Sequence, residues 1–83
     1  MKRKKVLQKI IEGSKNIRFA DMVNLVEGFG FHLSRVHGSH HIFIHPNIPE
    51  PVNLQDVKGE AKPYQVKQFM KLVEKYNLHL GEK

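Results

Sequence analysis

Apolar side chains recur three and four residues apart in three stretches of the chain, the spacing that places them on one face of an α-helix. The first predicted helix spans residues 2–12 and ends at Gly13. The second ends at Gly28 and Gly30, and the third begins at Pro63, because glycine terminates helices and proline fits their first turn. The apolar stripes are Val6, Leu7, Ile10 and Ile11 in the first helix, Phe19, Met22, Val23, Val26 and Phe29 in the second, and Val66, Phe69, Met70 and Val73 in the third.

Between the second and third helices the pattern changes to short runs that are typical of β-strands. Residues 31–36 and 40–45 predict two antiparallel strands, joined by a turn in which Gly38 supplies a positive φ. Residues 52–55 alternate between apolar and polar side chains and predict a third short strand. The three runs therefore predict a small antiparallel sheet.

Two segments around the third strand are predicted as loops. Residues 47–51 contain Pro49 and Pro51, which lack the backbone donors of a β-ladder. Residues 56–62 contain Gly59 and precede the last helix. The predicted order is α-α-β-β-β-α, an α+β domain of residues 1–83 whose helices pack on one face of a three-stranded antiparallel sheet and leave the other face open.

Composition restricts the partners and the compartment. The 83 residues suffice for one domain without a deep cavity, and 14 Lys and Arg against 8 Asp and Glu give a net charge of +6, which favours polyanions such as nucleic acid or an acidic protein. The chain has no cysteine, which fits a reducing compartment, and no run of transmembrane length. Gln8, Lys9 and Glu12 interrupt the apolar stretch that a signal peptide needs. We therefore expect a cytoplasmic protein without a membrane partner.

The segment 38–46 (GSHHIFIHP) carries the candidate chemistry. His40 and His41 stand where the turn opens into an apolar strand, and imidazole transfers protons near neutral pH without a metal. In a basic chain this suggests proton transfer on a phosphodiester. A structural role for these histidines is the alternative interpretation of the segment.

Metal and serine chemistry fit the same segment less well. His41 and His45 share a strand face but lie about 13 Å apart at roughly 3.3 Å per residue, whereas ligands of one zinc lie within about 4 Å of each other. His40 and His41 point to opposite faces, and His37 has no cysteine or acidic cluster beside it in the sequence. Ser39 lacks a nearby carboxylate and a strand-turn-helix elbow. We therefore expect neither a bound metal nor another cofactor.

Metal-free RNA cleavage requires one well-placed imidazole, hydrogen-bond donors or cations that stabilise the negative charge on the phosphate, and an open surface for the RNA strand. The backbone amides of Gly38 and Ser39 are candidate phosphate donors. Lys58 and Lys62 are candidates to reach the phosphate from the following loop. Each lysine has a solvated surface charge as its alternative interpretation.

Four motifs stand out along the chain: residues 28–31 (GFGF), Arg35, residues 38–46 (GSHHIFIHP) and residues 62–66 (KPYQV). Together they resemble the HicA-type (YcfA-like) toxins of bacterial toxin–antitoxin pairs. The resemblance covers roughly residues 18–78. Residues 1–16 form an additional N-terminal helical segment that the shortest members lack.

The resemblance implies a fold similar to a double-stranded-RNA-binding domain, metal-independent cleavage of messenger RNA, and a HicB-type antitoxin that blocks the active surface. The family's essential histidine follows the turn glycine, which places it at His40 here, with His41 as the alternative. The competing hypotheses are a non-catalytic RNA-binding module of similar shape and an adaptor whose basic face serves an acidic protein partner.

Overall fold

The computed structural model describes residues 2–81, which form three helices and one four-stranded antiparallel sheet. Met1, which opens the predicted segment 1–16, and Glu82 and Lys83, which close the predicted domain 1–83, lie outside the described residues. The predicted α+β class is confirmed. The elements are α1 (Arg3–Ile11), α2 (Phe19–Gly28), β1 (His32–His37), β2 (His40–His45), β3 (Ile48–Val57), β4 (Glu60–Ala61) and α3 (Pro63–Lys75).

The three helices lie where the apolar periodicity predicts them. Helix α3 begins at Pro63, whose missing N–H costs nothing in the first turn of a helix. Beyond the end of α2, Gly30 has a φ of +96°, and a Cβ there would meet the ring of His45 at 3.0 Å. Glycine at this position therefore allows both the left-handed backbone and the close approach of that ring.

The sheet has the strand order β1-β2-β3-β4, and the helices cover only one of its faces. Phe43 of β2 and Val52 and Leu54 of β3 point into the core, where each is at most 4% exposed. All six residues of the edge strand β1 are exposed, because the helical layer does not reach over it. The opposite face, which carries His40, Ile42 and Asn53, stays open, and we call it the open face.

A two-residue turn of Gly38 and Ser39 joins β1 to β2, as predicted. Gly38 has a φ of +58°, which a residue with a Cβ adopts only at a cost. In addition, β1 contains a bulge at Ser34, between Leu33, which pairs with Phe43, and Arg35, which pairs with Ile42. Because one extra residue reverses the alternation of a strand, Leu33 lies on the helix side and Arg35 on the open face.

The prediction of a loop at residues 47–51 is wrong, because β3 begins at Ile48. Ile48 pairs with His45 and Val52 with Phe43, so three residues of β3 bulge opposite the single residue Ile44. Pro49 and Pro51 lie in that bulge. In this part of β3 the side away from β2 is not paired with another strand, because β4 pairs only with Asp56 and Val57. Proline is tolerated at bulges and at sheet edges.

The prediction of a loop at residues 56–62 is also wrong in part, and the sheet has four strands instead of three. Glu60 and Ala61 form β4, which pairs with the end of β3. The connecting turn has positive φ at both Lys58 (53°) and Gly59 (86°), the backbone that matches the twist of a tight hairpin. The Asp56 side chain accepts a hydrogen bond from the Gly59 N–H (2.8 Å), which holds the turn closed.

Helix α1 packs against α2 through one buried side chain and one polar clamp. Val6 is 1% exposed and belongs to the main core. The Arg3 guanidinium donates from Nε to the Asn24 carbonyl oxygen at 2.8 Å and lies 3.1 Å from its Oδ1. The first helix is thus joined to the rest of the fold by both apolar and hydrogen-bonded contacts.

A charged cluster joins β3 to the end of α3. Lys75 Nζ lies 2.8 Å from Glu50 Oε2, and the Tyr76 hydroxyl donates to the other oxygen of the same carboxylate. The hydrogen bond from Lys75, followed by that from Tyr76, lowers the pKa of Glu50, and the same contacts raise the pKa of Lys75 and of Tyr76. Both ends of the ion pair are exposed, so solvent and salt screen it.

Candidate active site

The two neighbouring histidines of β2 point to opposite faces of the sheet. His41 pairs with Leu54 and faces the helices, whereas His40 pairs with Gln55 and lies on the open face. The predicted separation of the pair is therefore the observed one. The two imidazoles therefore have different surroundings.

His41 is held between the sheet and α2. Its ring packs against the Phe19 ring with the centroids 4.7 Å apart and an interplanar angle of 59°. Its Nδ1 lies 3.3 Å from the carbonyl oxygen of Ser39, which also accepts from the Asp56 N–H at 2.9 Å. Through these contacts His41 packs the start of α2 onto the hairpin.

His40 makes a different contact on the open face. Its Nδ1 lies 3.3 Å from Oδ1 of Asn53, and this contact is exposed to solvent. No hydrogen bond to the other ring nitrogen, Nε2, is found within residues 2–81. An imidazole with one nitrogen held by the protein and the other unoccupied has the geometry of a general base.

Strand register brings two more polar side chains beside His40. His37 pairs with His40 directly across the hairpin, and Arg35 pairs with Ile42, two residues along on the same face. A diagonal neighbour in an antiparallel sheet lies about 7–8 Å away, within reach of a long side chain. Arg35 is exposed, and a guanidinium at this position can donate paired hydrogen bonds to an anion on the open face.

The remaining histidine of β2 belongs to the packing. The His45 ring meets the Phe31 ring edge-on, with the centroids 5.0 Å apart, and its Nδ1 accepts a hydrogen bond from the Asn47 N–H at 3.0 Å. Among residues 2–81, no three His, Asp or Glu side chains lie close enough together to hold a metal ion. His37 lies directly across the hairpin from His40, whereas His41 is on the other face of the sheet and His45 is five residues along the strand.

The predicted phosphate-binding residues are grouped at one end of the sheet but not around one point. Gly38 and Ser39 form the turn directly before His40, and Gly38 is exposed. Lys58 sits at the tip of the neighbouring β3–β4 turn. It is three residues beyond Gln55, the register partner of His40, or roughly 10 Å along the strand.

Lys62 lies farther from the histidine, across β3. It directly follows Ala61, which pairs with Asp56, and it precedes the first turn of α3. Its Nζ lies 5.6 Å from the centre of the Tyr64 ring, in a cation–π contact. Of the two lysines, Lys58 is the one that projects freely from a turn at the histidine end of the sheet.

Neither Arg35 nor Asn53 is among the site residues predicted from the sequence. Asn53 had a weak signal, because a polar residue between the apolar Val52 and Leu54 belongs on the open face of a strand. Arg35 belongs to the motifs of the resemblance, but its position on the open face could not be predicted, since it depends on the bulge at Ser34. Both contacts follow from register, which alternation alone does not fix.

Comparison with known proteins identifies the family. No curated protein and no solved structure matches the chain, and none of the helices within residues 2–81 is long and apolar enough to cross a membrane. A family model described as the HicA toxin of bacterial toxin–antitoxin systems matches residues 19–74, from the start of α2 to near the end of α3. Since the match covers more than half of the chain and includes the whole sheet, this protein belongs to the HicA toxin family.

Proposed function

We propose that this HicA-family toxin is a metal-independent endoribonuclease of a type II toxin–antitoxin system and that it cleaves messenger RNA in the cytoplasm. The observation that supports this most strongly is the position of His40, whose Nδ1 contacts Asn53 on the open face while Nε2 is left to a substrate. The net charge of +6 favours binding of a polyanion to the protein. Family membership supplies the toxin assignment, and the chemistry of His40 supplies the reaction.

In the proposed reaction Nε2 of His40 removes the proton of an RNA 2′-hydroxyl. The resulting oxyanion forms a bond to the neighbouring phosphorus, and the bond from phosphorus to the 5′-oxygen breaks. The leaving oxygen takes a proton from solvent on this open surface. The products are a 2′,3′-cyclic phosphate and a free 5′-hydroxyl, and the proton transfer to His40 needs no metal ion.

Negative charge on the phosphate grows as the new bond forms, so cations and amides near His40 lower the barrier. We assign this function to the turn of Gly38 and Ser39, to Arg35 on the adjacent strand and to Lys58 at the neighbouring turn. Lys62 would contact the RNA strand farther along its backbone. The geometry supports the first three most directly, because they lie on the open face or at its end.

A toxin of this family has an antitoxin partner, and we propose a HicB-type protein that covers the sheet around residues 38–45. An acidic or mixed-charge partner fits the basic surface. Partner and RNA would then compete for the same face. Saturating antitoxin should stop cleavage, whereas an unchanged cleavage rate would contradict occlusion of the site.

The test of the reaction is incubation of the purified toxin with RNA in excess chelator, followed by analysis of the new RNA ends. We expect cleavage with 2′,3′-cyclic phosphate and 5′-hydroxyl ends. RNA that is bound but intact would favour the alternative of a non-catalytic RNA-binding module. A 5′-phosphate and a 3′-hydroxyl, the ends that attack by a metal-activated water leaves, would contradict the proposed mechanism.

A further inference from the structure

We propose that Asn53 is a positioning residue that fixes the tautomer of His40, with the proton on Nδ1 and the lone pair of Nε2 directed to the substrate. The inference rests on the proposed function for its catalytic purpose. The tautomer itself is a property of the protein without RNA. It can therefore be tested separately from cleavage.

The contact determines which nitrogen carries the proton. Oδ1 of Asn53 is an acceptor only, and it lies 3.3 Å from Nδ1 of His40. A neutral imidazole has one N–H, and a hydrogen bond to this oxygen requires that the N–H be at Nδ1. Nε2 is then unprotonated, which is the form that accepts a proton from a hydroxyl.

The backbone on both sides of Asn53 is fixed, so its short side chain has a defined position. Val52 and Leu54, the neighbours on the strand, are 4% and 0% exposed. One residue further on, the Gln55 N–H donates to Oε1 of Gln65 (2.7 Å), a glutamine of α3 that is only 2% exposed. The acceptor for His40 thus lies on a part of β3 that is anchored to the core and to α3.

His45 of β2 shows that the strand does not impose one tautomer on its histidines. His45 accepts from the Asn47 N–H through Nδ1, so its neutral form carries the proton on Nε2. His40 and His45 are therefore expected in opposite tautomers within one strand. His45 serves as an internal reference when His40 is measured.

The experiment is a long-range ¹H–¹⁵N correlation spectrum of the imidazole nitrogens in the full chain, recorded at a pH high enough for the imidazole rings to be neutral. We expect a protonated Nδ1 for His40 and a protonated Nε2 for His45. Asn53→Ala should shift His40 toward the Nε2-protonated form and leave His45 unchanged. Asn53→Asp, which keeps an acceptor at the same place, should preserve the wild-type tautomer of His40.

Gln55→Ala is the matched control, because Gln55 pairs with His40 across the strands but no hydrogen bond joins their side chains in the described structure. It should leave the His40 tautomer unchanged.

In single-turnover cleavage, Asn53→Ala should be slower by about 10-fold, as for other partners that orient a functional histidine. Asn53→Asp should cleave with its acidic pH limb moved to higher pH, because a carboxylate favours the protonated imidazole.

A protonated Nε2 of His40 in the wild type, or an unchanged tautomer in Asn53→Ala, would overturn the inference whatever the cleavage rates. If instead Asn53→Ala changes the tautomer while His40→Ala still cleaves RNA at the wild-type rate, the positioning stands and the proposed catalytic use of His40 fails. The two ideas are thus separated by one set of variants.

Discussion

Replacement of His41 by alanine should destabilise the fold and leave the chemistry in place. The variant loses a ring contact with Phe19, worth about 0.5–1.5 kcal/mol, and a hydrogen bond to the Ser39 carbonyl, worth about 0.5–1.5 kcal/mol. The second value belongs at its lower end, because that carbonyl still accepts from Asp56. The total is about 1–2.5 kcal/mol, and a domain of this size loses about 4–8 °C of Tm per kcal/mol, so Tm should fall by about 4–20 °C.

The assay is a thermal melt combined with single-turnover RNA cleavage well below the Tm of the variant. His40→Ala is the matched comparison, since its ring has only an exposed hydrogen bond to lose and its removal opens no core cavity. We expect His41→Ala to melt early and to cleave at a rate within a few-fold of wild type. A variant that melts like wild type but is inactive would refute the structural function of His41 and move the catalytic function to it.

Three further results are expected. Gly38→Ala and Gly59→Ala should each lower the free energy of unfolding by about 1–2 kcal/mol, because both glycines have positive φ and a Cβ would meet nothing within 4 Å. Gly38→Ala should also slow cleavage, and cleavage at the wild-type rate in this variant would argue against the first turn as a phosphate site. Glu50→Gln should lower Tm at neutral pH, because the ion pair with Lys75 is lost. The difference in Tm from wild type should disappear as the pH falls below 4.5 and through the lowered pKa of Glu50, because protonation then removes the ion pair in the wild type as well. A difference in Tm that persists in acid would contradict this assignment. RNA affinity should fall steadily with salt in a filter-binding titration, since phosphate contacts release counterions, and a flat response would exclude them as the main contacts.

Local chemistry was sufficient to predict the helices and the first hairpin. Pro63 starts α3 and Gly38 adopts a positive φ, each because of a constraint within its own residue. The opposite orientations of His40 and His41 follow from the alternation of any strand. These features need no information about distant parts of the chain.

The second hairpin and the cross-strand contacts of His40 depend on pairing instead. Pro49 fits into β3 because its strand is bulged and unpaired on one edge there, and Lys58 takes a left-handed backbone that its residue type does not favour. Arg35 reaches the open face only through the bulge at Ser34, and Asn53 meets His40 only through the register of β2 and β3. A local pattern of apolar and polar residues does not predict any of these pairings.

The most direct test of the proposed function is single-turnover cleavage of RNA by wild type and His40→Ala in the presence of a chelator. Removal of a general base should slow cleavage by at least about 10²-fold, while RNA affinity and Tm stay close to those of wild type. Wild-type cleavage in the chelator with a 10²-fold loss in His40→Ala is the predicted result. Undiminished cleavage by His40→Ala would contradict the assignment of His40 as the proton acceptor.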